Sequence, residues 1–228
     1  KLEREKSFLM EQRLQAYRLF ESIVRQGKYS NLAAKELLQG GKDERKLTHA
    51  TVMGALDKLI YIDYIIKAYA RGRLRPVVQD ILRLGVYQLL FMNIPAYAVC
   101  SEWTQLASQL GKGAQKGYIN GVLRSIERSK SALPLPDRAA SPEEYLSVKY
   151  SYPQFLVKES IEEHGFEETE KMLAYQPEHY TAVRFDIKSI SREAFINELD
   201  RLNCQYKPGL LYKDVFLIKG NKIFQDNL

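Results

Sequence analysis

The run Leu82-Arg83-Leu84-Gly85-Val86-Tyr87-Gln88-Leu89-Leu90-Phe91, followed shortly by Ile94-Pro95-Ala96-Tyr97-Ala98-Val99, decides how this chain folds. Ahead of it, Pro76 suits the first turn of a helix, where a missing N–H leaves no bond unmade. Val78, Ile81, Leu82, Val86 and Leu89 then recur at three- and four-residue spacing, which gathers them on one inward stripe. The Asn93-Ile94-Pro95 turn ends that helix. Another follows from about Tyr97 to Leu110 and is closed by Gly111.

Outward from this pair the helical period continues. Toward the N-terminus, Leu14, Tyr17, Phe20 and Val24 predict a first helix, with Gly27 where a left-handed cap would stop it. Ser30 or Asn31 can cap a short second helix through Leu38, stopped by Gly40-Gly41. Asp43 can cap a longer third stretch with apolar positions from Leu47 to Ile66, inside which Gly54 marks a break or a close helix crossing. On the other side a sixth helix runs from about Ala114 to Lys130. Six helices with short connections predict an all-α bundle over residues 1–131.

Past that point the pattern changes. Leu133-Pro134-Leu135-Pro136 reads as a linker or an ordered wrap, and Ser141-Pro142-Glu143-Glu144 as a helix start with Ser as cap. Short helices over Pro153 to His164, closed by Gly165, and Glu167 to Tyr175, closed by Pro177, fit next. From Tyr180 the period becomes two: Ala182, Arg184 and Asp186 alternate with Val183, Phe185 and Ile187, as in a strand with one buried face. Ser191 caps an amphipathic helix from Arg192 to Leu202, and strands around Cys204 to Lys207 and Asp214 to Lys219 complete a β-α-β-β unit. The expected architecture is mainly α: a helical bundle at 1–131, a linker with short helices at 132–179, and a partial α/β subdomain at 180–228.

The net charge of +6 is unevenly spread, with 22 Lys and Arg against 12 Asp and Glu in residues 1–131, and 12 against 16 in the remainder. A basic half attracts nucleic acid through counterion release, although surplus charge also serves solubility. The most apolar stretches are broken by Asp57, Lys58, Asp63 and Arg83, so no membrane span is expected. The charged N-terminus lacks a secretion signal, and a cytoplasmic location follows as an expectation. Cys100 and Cys204 lie far apart and read as free or buried thiols. His49, His164 and His179 are too scattered for a metal site.

The two strings quoted at the outset, joined by Gly117-Tyr118-Ile119-Asn120-Gly121-Val122-Leu123-Arg124, resemble the middle and the final helix of a NusB-like domain. The order then continues with Tyr150-Ser151-Tyr152-Pro153-Gln154-Phe155-Leu156-Val157, Val183-Arg184-Phe185-Asp186-Ile187-Lys188 and Ser191-Arg192-Glu193, which resembles the RsmB/Sun family of bacterial small-subunit rRNA cytosine-5 methyltransferases. This sequence departs from the family's usual residues at Phe155, Asp186, Ile187 and the run Ser101-Glu102-Trp103-Thr104. The resemblance implies a NusB-like RNA-binding bundle whose partners are small-subunit rRNA and a Rossmann-type domain that carries the S-adenosylmethionine loop and the catalytic cysteines. No Gly-rich loop after a strand, acidic ribose ligand or Pro-Cys motif stands in these residues, so no catalytic or cofactor-binding residue is assigned, and the chain is expected to be inactive alone.

What the chain itself would contribute is RNA contact. The resemblance implies a basic face on the first helix, with Arg4, Lys6 and Arg13 as its candidates beside interspersed glutamates. Arg71-Gly72-Arg73-Leu74-Arg75 crowds three guanidiniums into five residues, a donor set suited to phosphate, though basic residues also collect at helix C-termini for dipole reasons. Lys112, Lys116, Arg124 and Arg128 can form a stripe on the sixth helix that tracks a backbone. Arg184 and Lys188 would project from the exposed face of the first strand, as base or phosphate contacts would in an RNA-recognition-like sheet, or simply as that strand's polar outward face. Tyr87, Tyr97, Tyr118 and Trp103 can either stack on bases or fill the core, while Arg83 and Asn120 suit helix pairing at least as well as RNA. Two rivals remain. One is a NusB-type antitermination factor, against which the residues beyond 131 argue. The other is a helical protein-interaction domain without RNA, which salt-dependent RNA binding would exclude.

Overall fold

The structure, a computed structural model, describes residues 2–38, 41–176, 178 and 180–219, with side chains from residue 10 onward except at 42–44. Its elements are α1 (Leu2–Val24), α2 (Ser30–Leu37), α3 (Lys42–Asp57), α4 (Leu59–Tyr69), α5 (Pro76–Phe91), α6 (Ala96–Gln109), α7 (Lys116–Arg128), α8 (Pro142–Tyr150), α9 (Gln154–His164), α10 (Phe166–Ala174), β1 (Tyr180–Arg184), α11 (Arg192–Arg201), β2 (Gln205–Pro208) and β3 (Val215–Lys219). They divide into two compact units, residues 1–174 and 175–228.

The first unit is organised around α5, which packs against α1, α3, α4, α6 and α7. A helix covered on all sides must be apolar nearly all round, and Val78, Ile81, Leu82, Leu84, Val86 and Leu89 are buried accordingly. Its polar positions need partners, because an unpaired buried polar group costs about 1–3 kcal/mol. Gln88, fully buried, accepts from Trp103 Nε1 at 3.0 Å and donates to Thr51 Oγ1 at 3.0 Å, which donates to the Leu47 carbonyl. This relay ties α6 to α5 and α5 to α3. Asp80 and Arg83 are satisfied by each other and by ions from Arg25, just past α1, and Asp63 on α4. Arg25 grips both Asp80 oxygens at 2.5 and 2.9 Å, and Arg83 forks onto Asp63 at 2.7 and 2.6 Å while reaching Asp80 at 3.1 Å.

The expected third stretch is two helices. The backbone turns out of helical geometry at Lys58, four residues after Gly54. Gly54 instead marks a close crossing: a Cβ there would lie 1.9 Å from the Tyr87 hydroxyl on α5. Gly27 takes φ +69° where α1 must stop, as the sequence predicts. Capping is less local than the sequence suggests. Tyr29, not Ser30 or Asn31, holds the N-cap position of α2, and Ser141 makes no side-chain cap bond on α8. The open N-terminus of α4 is served from a distance by Ser151, whose Oγ accepts from the Ile60 and Tyr61 amides at 3.1 and 3.4 Å. Asp43 as a cap, Gly40 as a stop and Pro177 as a terminator involve side chains or residues outside those described.

The second unit is a three-stranded antiparallel sheet in the order β1-β3-β2, with Ala182 opposite Leu217 and Leu217 opposite Lys207. One face packs against α11 through Phe185, Phe216, Ile218 and Leu199, with the Phe185 and Phe195 rings stacked at 4.9 Å. Ser191 Oγ accepts from the Ala194 amide at 3.1 Å and caps α11 as expected. Asp186, Ile187 and Lys188 stand beyond β1, which ends at Arg184, because the Asp186 carboxylate takes the Lys188 amide and the Ser189 hydroxyl and turns the chain. Lys188 therefore projects from a turn and not from the strand.

Candidate nucleic-acid interface

The α4–α5 connection, residues 71–75, is held open by Gly72 at φ +74° and ends at Arg75, the residue preceding Pro76 at the start of α5. Arg71, Arg73 and Arg75 are all exposed, and among the described residues none has a carboxylate partner. The loop is not an isolated tip. Tyr118 on α7 donates its hydroxyl to the Arg71 carbonyl at 3.1 Å, across 47 positions of sequence. Tyr69, Arg71, Tyr118, Gly121 and Ser125 line a shallow groove at that junction.

Helix α7 buries Ile119, Val122, Leu123 and Ile126, so its opposite face looks outward. Arg124 and Arg128 lie on that face together with Gly117 and Gly121, and no heavy atom stands within 4 Å of where a Cβ would be at either glycine. Lys116 is exposed and Lys112 half-buried on the approach to the helix. The Arg128 guanidinium bends back onto the Arg124 carbonyl and Ser125 Oγ, both at 3.3 Å. The loop and the helix thus form one cationic surface. Guanidiniums around an open groove with a tyrosine hydroxyl at its edge can take phosphate oxygens by charge-assisted bonds. Lys67, exposed near the end of α4, joins Arg73 in lining the adjoining cleft. Sequence reading passed over it, although its four-residue spacing from Arg71 was a usable signal.

Other candidates fall elsewhere. Arg13 is buried, 3% exposed, with its guanidinium 2.6 Å from Glu102 and 5.5 Å from the centre of the Trp103 ring. Burial lowers its pKa while Glu102 pulls it back up. A guanidinium so enclosed does not face a phosphate, which corrects the expectation for that residue. The side chains of Arg4 and Lys6, on the first turns of α1, lie outside those described. Arg83 is bound into the carboxylate cluster under α5, Trp103 is fully buried, and Tyr87 stacks on Phe91 at 5.4 Å. Tyr97 is 72% exposed. In the second unit Arg184 is exposed and paired with Asp214 at 2.5 Å, and Lys188 is exposed. Cys100 is buried and Cys204 half-buried, both as free thiols. Among the described residues no cluster of ligating side chains is placed to hold a metal ion, and no helix is long and apolar enough to cross a membrane.

Residues 10–128 match the family model described as the NusB family. Among curated relatives, a Bacillus subtilis protein described as "probable ribosomal RNA small subunit methyltransferase B" is 30% identical over 84% of this chain and 44% of its own length. The Escherichia coli ribosomal RNA small subunit methyltransferase B is 33% identical over 64% of this chain and 34% of its own. The chain thus spans less than half the length of these relatives. In fold it is similar to the crystal structure of PH0851, with a TM-score of 0.57 at 20% identity, over 94% of this chain and 48% of that one.

Proposed function

Because the chain belongs to the NusB family, whose model covers residues 10–128, we propose that it is the RNA-binding, substrate-positioning part of an S-adenosylmethionine-dependent methyltransferase acting on a cytosine C5 of small-subunit rRNA. In this reading residues 1–131 hold the RNA, residues 132–179 connect, and residues 180–228 belong to an α/β segment preceding a Rossmann-type catalytic domain, in the cytoplasm. The observation that carries it is the single cationic surface made by Arg71, Arg73 and Arg75 with Lys116, Arg124 and Arg128, set on the very stretch that matches the family. Curated relatives described as rRNA small-subunit methyltransferases support the choice of RNA.

The described residues do not fit S-adenosylmethionine. The single junction from a strand into a helix among them, Phe185 to Ser191, contains no glycine, and Asp186 is already engaged by Lys188 and Ser189. The chain's own role is then binding and alignment. Reaction at a base needs the target held in near-attack geometry, and remote phosphate contacts contribute to that positioning.

The test is a fluorescence titration of a small-subunit rRNA fragment at several salt concentrations. Each lost phosphate contact lowers the logarithmic salt slope by about 0.7 on single-stranded RNA, so neutralising Arg71, Arg73 and Arg75 together should lower it by roughly two. An unchanged slope with the fold intact would refute the loop's role. Calorimetry that found one-site micromolar binding of S-adenosylmethionine to this chain would refute the division of labour.

A further inference from the structure

The sheet of the second unit gathers cations on one face, which the helical surface does not account for. Its three strands, Tyr180–Arg184, Gln205–Pro208 and Val215–Lys219, contain Arg184, Lys207 and Lys219 and no acidic residue. Alternation along a strand and the observed register put all three cations on the same face. Tyr180 pairs with Lys219 and Lys219 with Gln205, Ala182 pairs with Leu217 and Leu217 with Lys207, and Arg184 pairs with Val215. The opposite face, with Phe216 and Ile218, is the one covered by α11, which carries Glu193, Glu198 and Asp200 together with Arg192 and Arg201.

The open face is aromatic as well as cationic. Lys207 Nζ sits 4.1 Å from the centre of the Tyr180 ring, and the Arg184 guanidinium 5.7 Å from that of Tyr212, which is 61% exposed. The Tyr180 hydroxyl donates to Glu178 at 2.7 Å, which fixes the ring's outer end. Glu178 also pairs with Lys219 at 2.7 Å, as Asp214 does with Arg184. Pairs whose cation faces solvent, as Arg184 and Lys219 do, are worth little and can exchange for a phosphate. Lys207 has no carboxylate partner among the described residues.

We propose that this face, centred on Tyr180 and Leu217 and rimmed by Arg184, Lys207 and Lys219, is a stacking platform for single-stranded RNA. The inference rests on the RNA-binding reading above and adds a second, chemically different contact. A base has a flat π-face that a sheet-borne tyrosine can take, whatever its sequence, while cations at the rim follow the backbone. A base on Tyr180 replaces the Lys207 ammonium, whose flexible stem lets it swing to the adjoining phosphate. The cationic surface on the helical unit offers charge alone to either single or double strands; the sheet face selects unpaired bases.

The experiment uses the full 228-residue chain and a fluorescein-labelled, non-self-complementary RNA decanucleotide, alone and annealed to its complement, read by anisotropy. Tyr180→Leu should weaken single-strand binding about 5- to 10-fold and leave duplex binding within about twofold, since stacking contributes roughly 1–3 kcal/mol per base. Tyr180→Phe should keep the parent affinity, and Lys207→Gln, a fold-neutral surface change, should weaken the single strand about 2- to 5-fold. The triple change at Arg71, Arg73 and Arg75 should weaken both probes. If the triple variant weakens both while Tyr180→Leu and Lys207→Gln change neither, the platform is refuted and the RNA-binding reading survives. If the triple variant also changes neither, that reading fails too.

Discussion

The seam where α1, α4 and α5 meet and the surface made by the α4–α5 loop with α7 are both rich in arginine, and they use it in opposite ways. At the seam, Arg25 and Arg83 converge on Asp80, whose side chain has no solvent exposure, and Asp63 takes the second fork of Arg83. Arg13, on α1 and twelve positions before Arg25, is enclosed by Glu102 and Trp103. On the loop and α7, Arg71, Arg73, Arg75, Arg124 and Arg128 face solvent and have no carboxylate partner among the described residues. The residue type is the same; the presence of an opposed carboxylate decides whether it holds helices together or is available to a ligand. A buried cluster fixes geometry because breaking it strands a charge, whereas an exposed unpaired set costs the fold little and keeps its donors for phosphate.

The contrast can be broken most decisively at Asp80. Asp80→Ala leaves Arg25 and Arg83 short of their shared anion and should destabilise the helical unit by about 3–5 kcal/mol, seen as a lower midpoint in urea unfolding. RNA affinity measured on whatever fraction stays folded should not change. A loss of affinity with no loss of stability would put the seam, not the loop, at the RNA. Arg13→Ala should cost about 1–3 kcal/mol, because Glu102 is left largely buried without its partner. If Arg13 were a surface contact, the same change would leave stability within about 0.5 kcal/mol and flatten the salt dependence of RNA binding instead.

The exposed set gives the mirror-image result. Arg124→Ala with Arg128→Ala should move stability by no more than about 0.5 kcal/mol, yet lower the logarithmic salt slope of RNA binding by about 1.4. A large stability loss from this pair would erase the distinction drawn between the two regions.

The smallest effect tests a case between the extremes. Glu170 on α10 is 18% exposed in its side chain and takes Lys149 at 2.7 Å and Arg138 at 3.2 Å. The bond from Lys149 is the main reason its pKa lies below the ordinary carboxylate value. A carboxyl whose folded pKa is lowered adds stability above its unfolded pKa of about 4.3, and loses it as pH falls through the lowered value. Glu170→Gln should therefore cost about 0.5 kcal/mol at pH 7, after allowing for solvent screening, with the difference closing below about pH 4. Thermal melts of both proteins across that range would show it. A gap that persisted unchanged into acid would assign the loss to packing.

Much of the fold was legible from residue spacing. The stripe on Pro76 to Phe91, the stops at Gly27 and Gly111, the change to period two at Tyr180 and the Ser191 cap are local events, governed by backbone sterics and by the 3.6- and 2-residue repeats, and a linear sequence displays them directly. The same strings carried the family resemblance. The chain alone did not determine which side chains would meet. A period assigns a residue to a stripe but does not say what stands opposite it. Arg13 therefore read as a surface cation until Glu102 and Trp103 closed over it, and Trp103 gave no sign of bonding to Gln88. Nor could spacing reveal that residues 71–75 and α7 share one surface, since the joining bond from Tyr118 to Arg71 spans 47 positions. Secondary structure follows from interactions within a few residues, whereas burial, ion pairing and the assembly of a binding surface depend on contacts between distant segments, which exist only once the helices have packed.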